Sequence, residues 1–355
     1  MTHENCDILH AYSFRCSRLL VSCMVFCYTV EKIFQKEYPL HMNMSTGTPI
    51  YRPLDLEHDL VSLVALLNEI KRADHDDEII SEADLHDMLT WTGQDPTTNT
   101  WVVTAPSSAL LIGCGLILKA PNDEHADLFI AVHPSWRGQG IGSQLFTFLL
   151  ERARALNTRA VRGYVDIQHR AADHFARNCG FEPVSTYTRL TVSASRPFPD
   201  AVLPPGFVKR SYDQVQRIDL LTQAMNRSYE GLWGHLQTSE EDQAIWLPRL
   251  EQEGVFLLFA PDGAVAGVGR AELSEQLTAQ RGVPTGHIDA PGVVPEYRCA
   301  GLYLPLLLTL IHWLLPQGPA ALELESWGDE PGTLALYRTM GFSVMKEEVS
   351  YRRDV

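Results

Sequence analysis

The stretch Val132-His133-Pro134-Ser135-Trp136-Arg137-Gly138-Gln139-Gly140-Ile141-Gly142-Ser143 constrains this chain more than any other. An apolar run over 128–132 leads into it, and an amphipathic run over 144–156 leads out. That order predicts a strand, a tight glycine turn and a helix. Pro134 ends the strand, because its nitrogen has no hydrogen to give to a ladder. A turn of this kind aims backbone N–H groups and the positive end of a helix dipole at one spot, which suits an anion. Gly138, Gly140 and Gly142 would let the backbone approach a pyrophosphate closely. The spacing is neither the G-x-G-x-x-G of a dinucleotide fold nor the G-x-x-x-x-G-K-[ST] of a Walker loop.

Arg137-x-x-Gly140-x-Gly142 resembles the acyl-CoA loop of the GCN5-related N-acetyltransferase (GNAT) family, R/Q-x-x-G-x-G/A. The full V-x-P-x-x-R-G-x-G-x-G string is far more specific than two glycines. The resemblance implies acetyl-CoA as co-substrate, bound along Val132, Arg137, Gly138, Gln139, Gly140, Ile141, Gly142 and Ser143, with Arg137 near phosphate.

The pattern occurs twice. Val293-Val294-Pro295-Glu296-Tyr297-Arg298-Cys299-Ala300-Gly301-Leu302-Tyr303 lies further on, and 161 positions separate Pro134 from Pro295. Arg137/Arg298, Gly140/Gly301, Leu145/Leu306, Arg177/Arg338, Gly180/Gly341 and Phe181/Phe342 keep that offset. One offset across two motifs indicates a duplicated domain. The length of 355 residues also suits two domains. Proline-rich residues 193–206 predict a semi-rigid linker. The division expected is therefore an extension over 1–47, a first domain over 48–192, the linker, and a second domain over 207–355.

In the first half, strands are predicted over 50–54, 100–104, 109–118, 128–132, 161–167 and 186–192. Helices are predicted over 58–72, 81–90, 144–156 and 170–178, the second of these opened by Ser81 as a cap. The second half repeats the order, with helices over 213–229 and 238–250 and strands over 254–260, 264–272 and 321–327. Hairpins in the middle and alternating strands and helices late in each unit predict an α/β class fold with a mixed sheet and helices on both faces. The resemblance makes these two tandem acyl-CoA N-acyltransferase domains.

A formal net charge of −15 argues against nucleic acid or an acidic membrane as partner. The seven cysteines form no C-x-x-C pair, and an odd count argues against a disulfide framework. A reducing cytoplasm fits. Four of those cysteines precede Met44, where an apolar run over 19–28 is short for a membrane span and lacks a small-residue cleavage site. These residues read as an extension outside the domains, with a membrane anchor as the lesser alternative.

Acetyl transfer needs the phosphates held, the thioester carbonyl polarised, the amine neutral as it attacks, and a proton for the departing thiolate. The first half has the complete loop. There His169 stands in an N-x-x-A spacing with Ala172, either meeting the pantetheine arm or lying at a helix start. Asp166, near a strand end, is a candidate for the acceptor amine. The family's usual tyrosine acid is replaced by Ala176, with Asp173 and Cys179 on the same helical face. The second half reverses this. Tyr337 stands at the acid position, as general acid or as packed aromatic, and Asp289 is a candidate proton relay or an ordinary loop carboxylate. Its loop has Cys299 and Tyr303 where the first has Gly138 and Gly142, which puts coenzyme binding there in doubt. Glu325, Trp327 and Asp329 either line a pocket or form a strand end and its turn.

The resemblance thus implies an N-acetyltransferase acting on a primary amine of a small molecule, by direct attack in a ternary complex. A non-catalytic acyl-CoA sensor and a protein N-acetyltransferase are the alternatives. Oligomeric state is not legible in the sequence.

Overall fold

The computed structural model describes residues 47–355, apart from 77–78, 91–93, 121–122, 231–236, 241–242, 244–252 and 328–330. The N-terminal extension, most of the helix expected over 238–250, and Asp329 lie outside the described residues. In chain order the first elements are β1 (Ile50–Pro53), α1 (Leu56–Ala73), α2 (Glu82–Leu89), the one-turn α3 (Pro96–Asn99), β2 (Thr100–Thr104), β3 (Leu111–Leu118) and β4 (His125–Val132). Then come α4 (Ile141–Ala155), β5 (Ala160–Asp166), α5 (Arg170–Asn178) and β6 (Glu182–Ser193). The later elements are β7 (Val208–Ser211), α6 (Tyr212–Val215), α7 (Ile218–Ser228), β8 (Gly254–Phe259), β9 (Val265–Ser274), α8 (Glu275–Arg281), β10 (Thr285–Val293), α9 (Tyr303–Leu314), β11 (Ala321–Trp327), α10 (Pro331–Thr339) and β12 (Ser343–Asp354).

The chain divides into two compact units, one of residues up to Val184 together with Glu348–Val355, the other Ser185–Glu347. This division differs from a cut at 193–206. The reason is strand pairing. The end of β12 pairs antiparallel with β5, from Glu348 opposite Asp166 to Asp354 opposite Ala160. Residues 187–193 of β6 pair antiparallel with β11. Each unit therefore takes a strand from beyond the sequence repeat that supplies the rest of it.

In the first unit β1, β2, β3 and β4 pair antiparallel in order, and β4 then pairs parallel with β5. Side chains alternate along β4. Leu128, Ile130 and Val132 join Leu145 and Leu149 of α4 in one core, while Phe129 and Ala131 meet Leu67 and Ile70 of α1. Helices thus cover both faces of a mixed sheet, as the pattern predicts. Local signals agree with the elements. Asp55 caps α1, with Glu57 and Asp59 in its first turn and Lys71 and Arg72 in its last, which complements the helix dipole. Ser81 caps α2 by accepting from the Asp84 amide.

The second unit runs β6-β11-β10-β9-β8-β7, with β10 and β11 parallel. The expected helix over 213–229 is two helices, because Gln216 adopts a left-handed backbone (φ 47°) between α6 and α7. The α8 helix, capped by Ser274, was not predicted. The run at 302–315 forms α9 and is nearly all buried, as its continuous apolar character predicts. Among the described residues no helix is long and apolar enough to cross a membrane.

Candidate functional site

The parallel strands β4 and β5 pair only at His125/Ala160, Ala126/Val161 and Asp127/Arg162. Each strand continues past that last rung, to Val132 and Asp166, without pairing to the other. The sheet parts between these two interior strands beyond that rung, leaving a cleft between their C-terminal ends, and the glycine turn follows directly on β4.

Two left-handed residues shape the turn, Gly138 at φ 75° and Gly140 at φ 82°. Only glycine takes these angles readily. A Cβ built at either position would have nothing within 4 Å, so both face open space. Gly140 is the N-cap of α4 and offers no side-chain cap. The first bond of the helix runs from Gln144 N–H to Gly140 C=O. The amides of Ile141, Gly142 and Ser143 precede it and have no partner within the helix. Gly138, Gln139, Gly140 and Ser143 are exposed, whereas the Ile141 side chain is a core anchor. The result is a bare cradle of amides at a helix start, which fits a diphosphate.

The Arg137 side chain is placed differently from the expectation. Its Nε donates to the Val132 carbonyl at 2.9 Å, and its two terminal nitrogens donate to the Asp74 carboxylate at 2.8 and 2.6 Å. Only 7% of the side chain is exposed. The guanidinium ties the turn to the end of β4 and to the C-terminal end of α1, and does not point to a phosphate. Arg298 repeats this in the second unit. Its Nε donates to the Val293 carbonyl at 3.2 Å, and a terminal nitrogen donates to the Glu230 carbonyl, just past α7, at 2.7 Å.

Asp166 ends β5, half-buried, and its Oδ1 accepts from the Gln168 amide at 2.8 Å. His169 is the N-cap residue of α5 without a side-chain capping bond. Both stand at the β5 side of the cleft. Ala176 is wholly buried in the core. Asp173 accepts from Tyr351 and Arg177, and these bonds hold its carboxyl below its usual range. Burial pushes the Cys179 thiol up to about 11. At neutral pH the ionised Asp173 has no proton to give, while the Cys179 thiol keeps its proton.

The second unit has a similar parting. The parallel register of β10 and β11 ends at Ile288/Leu324, and β10 carries a bulge between Asp289 and Gly292. Gly301 keeps the left-handed turn at φ 73°, the counterpart of Gly140. Tyr303, the first residue of α9, stands where Gly142 stands in the first unit. Its hydroxyl is hydrogen-bonded to that of Tyr337, whose side chain is fully buried. Tyr337 is thus engaged by the residue that replaces the loop's last glycine. Asp289 lies in a strand, not a loop. It sits 3.7 Å from Arg270 and 3.6 Å from His287 Nδ1. Arg270 also meets Glu253 at 2.6 Å and Glu272 at 3.7 Å. Burial, joined by the carboxylates of Glu272 and Asp289 and opposed by Arg270, raises the Glu253 carboxyl to about 7. Trp327 packs on Tyr187 with ring centroids 4.5 Å apart, so it is part of the sheet face at a strand end.

Sequence reasoning missed Asp74 and the Glu253–Arg270 group. Asp74 follows α1 in a segment without periodicity, and nothing local marks its partner 63 positions away. No group of three or more metal-ligating side chains occurs among the described residues.

Comparison with known proteins follows the same division. The model of the acetyltransferase (GNAT) family matches residues 61–181 and again 218–342. A mycothiol acetyltransferase of Pseudarthrobacter chlorophenolicus is 26% identical over 68% of this chain and 74% of its own length. One from Paenarthrobacter aurescens is 25% identical over 76% of this chain and 82% of its own. Among solved structures, a GCN5-related N-acetyltransferase from Sphaerobacter thermophilus superposes with a TM-score of 0.68 at 20% identity, covering 86% of this chain and 95% of that one. A tandem GNAT protein from the clavulanic acid biosynthesis pathway gives 0.60 at 17% identity, covering 86% and 98%. These two likenesses speak to the fold.

Proposed function

The chain belongs to the acetyltransferase (GNAT) family, and from that premise we propose that it transfers an acetyl group from acetyl-CoA to a primary amine on a small molecule. One observation carries the reading: a glycine turn with Gly138, Gln139, Gly140 and Ser143 exposed, leading into the helix-start amides of Ile141–Ser143, where β4 and β5 part. Acyl-CoA, when bound, supplies an activated thioester. The loop amides and the α4 dipole hold its diphosphate. The unpaired edges of β4 and β5 offer backbone groups to the arm that follows. Asp166, at the tip of β5, is placed to receive a cationic amine and to accept its proton. The amine nitrogen then bonds to the carbonyl carbon, gives its second proton to water, and the C–S bond breaks. The leaving thiolate takes its proton from water, since Ala176 provides no acid. Direct attack fits the Cys179 thiol, which stays protonated at neutral pH and is not a prepared nucleophile. The curated relatives are named mycothiol acetyltransferases, which favours a small-molecule acceptor over a protein. A cytoplasmic reaction, where acetyl-CoA is available, is part of the same proposal.

Isothermal titration of the intact chain with acetyl-CoA, followed by a CoA-release assay over a panel of primary amines, tests this. The expected result is one coenzyme per chain and turnover with at least one amine. A chain that does not bind acetyl-CoA sinks the proposal. Tight binding with no turnover for any amine leaves the sensor reading, which the buried Ala176 and the engaged Tyr337 otherwise favour.

A further inference from the structure

We infer that Asp74 is a positioning residue for the coenzyme loop, acting through Arg137; the inference rests on the reading of the Gly138–Ser143 cradle given above. Arg137 is the residue immediately before the two left-handed glycines. Its guanidinium has three anchors in this structure: the Val132 carbonyl and both oxygens of Asp74. A bidentate pair of this kind fixes orientation as well as distance, because the guanidinium fork matches a carboxylate in only one plane. With Nε held by the end of β4 and the fork held by the end of α1, the turn has little freedom to swing. The amides of the following residues are thereby aimed at one place.

Two further observations support the assignment. Arg298 makes the corresponding ties in the second unit, to Val293 and to the segment after α7, although that loop has lost two of its glycines. The arginine has therefore kept its strut where the bare cradle has not been kept, which a role as phosphate ligand does not explain. Asp74 also borders a small, largely apolar recess of about 20 Å³ between α1 and β4, together with Leu67, Ile70, Phe129 and Ala131. The recess lies on the face of β4 opposite α4.

The recess supplies its own control. Lys71 and Asp76 also line it and form an ion pair of 2.8 Å, with both side chains 8% exposed. Asp74 and Arg137 are comparably buried, at 10% and 7%. Loss of either carboxylate strands a buried cation to a similar degree, so a purely structural role predicts similar effects of both substitutions on stability and on coenzyme binding.

The experiment is titration of acetyl-CoA into the full chain and its variants Asp74→Asn, Asp76→Asn, Arg137→Gln and Asp74→Asn/Arg137→Gln, with a thermal melt of each. The expected result is a Kd raised about tenfold by Asp74→Asn and by Arg137→Gln alike, no further rise in the double variant, and a change within twofold for Asp76→Asn. The inference is overturned if Asp74→Asn binds within twofold of the parent, if Asp76→Asn weakens binding as much, or if the two losses multiply to about a hundredfold. Should Asp74→Asn not fold, Arg137→Gln against Asp76→Asn decides the matter in the same terms. A parent chain that binds no acetyl-CoA overturns the reading of the cradle itself, which is a different outcome from a parent that binds and variants that do not differ.

Discussion

Asp127 on β4 and Arg162 on β5 face each other across the last rung at which the two parallel strands pair, with Arg162 Nε donating to Asp127 Oδ1 at 2.7 Å. The same guanidinium donates to Asp123 at 2.9 Å. The cleft starts one residue later, so this pair marks its vertex. Both side chains are 12–13% exposed, which makes the pair costly to break from one side only. Asp127→Ala strands Arg162 with Asp123 alone. Urea unfolding is expected to show a loss of about 3–5 kcal/mol. A loss below about 1 kcal/mol would mean that solvent reaches the vertex.

Gly140→Ala forces a side chain onto a backbone at φ 82° and puts a methyl group into the cradle. The backbone cost is about 1–2 kcal/mol. Gly301→Ala carries the same backbone cost at φ 73°, in a loop that has Cys299 and Tyr303 in place of two glycines. The two variants should lose similar stability by thermal melting. Only Gly140→Ala should weaken acetyl-CoA binding, by about tenfold or more in calorimetry. Equal binding by both would place the coenzyme elsewhere.

The elements that form this cradle were legible because each rests on local chemistry. Pro134 stops a strand, Gly140 turns the chain, and 144–156 carries a helical apolar face. The doubled motif was legible because a fixed offset survives divergence. What escaped were relationships made by folding. Asp74 meets Arg137, and Glu253 meets Arg270, across separations that leave no pattern in the chain. The role expected of Arg137 changed for the same reason: a cation beside a glycine loop suggests an anion ligand until a carboxylate from another element is seen to hold it. The placement of Glu348–Asp354 beside β5 belongs to this class too. A strand of the last repeat alternates in the same way whichever sheet it joins, so only register reveals its neighbour.

Glu253 gives the stability of the second unit a pH dependence. Its folded carboxyl titrates at about 7, above its unfolded value near 4.5. Between these values the folded state holds a proton that the unfolded state has released, so stability falls as pH rises through that window and levels off above it. Screening by solvent at a partly accessible group limits the effect to on the order of 1–2 kcal/mol. Glu253→Gln keeps the size of the side chain and removes the titration, while Glu272 and Asp289 remain beside Arg270. Melting curves from pH 5 to 8 should therefore show a smaller fall in Tm for the variant than for the parent. Identical slopes would show that another group governs this range.

Tyr337 and Ala176 test which unit carries the chemistry. The Tyr337 hydroxyl is bonded to Tyr303 and its ring is sealed from solvent, so Tyr337→Phe removes one buried hydrogen bond. The expected cost is about 1 kcal/mol of stability, with CoA release under saturating amine unchanged. A hundredfold fall in kcat would instead make Tyr337 the general acid and move catalysis to the second unit. Ala176→Tyr places the family's usual acid in the first unit, but Ala176 is wholly enclosed by Phe175, Phe181 and their neighbours. A tyrosine there overpacks the core by about 1–3 kcal/mol, so the variant should melt lower and turn over no faster. If it melts as the parent does and releases CoA faster, then the α5 face is open toward the cleft and the missing acid, rather than packing, limits the rate.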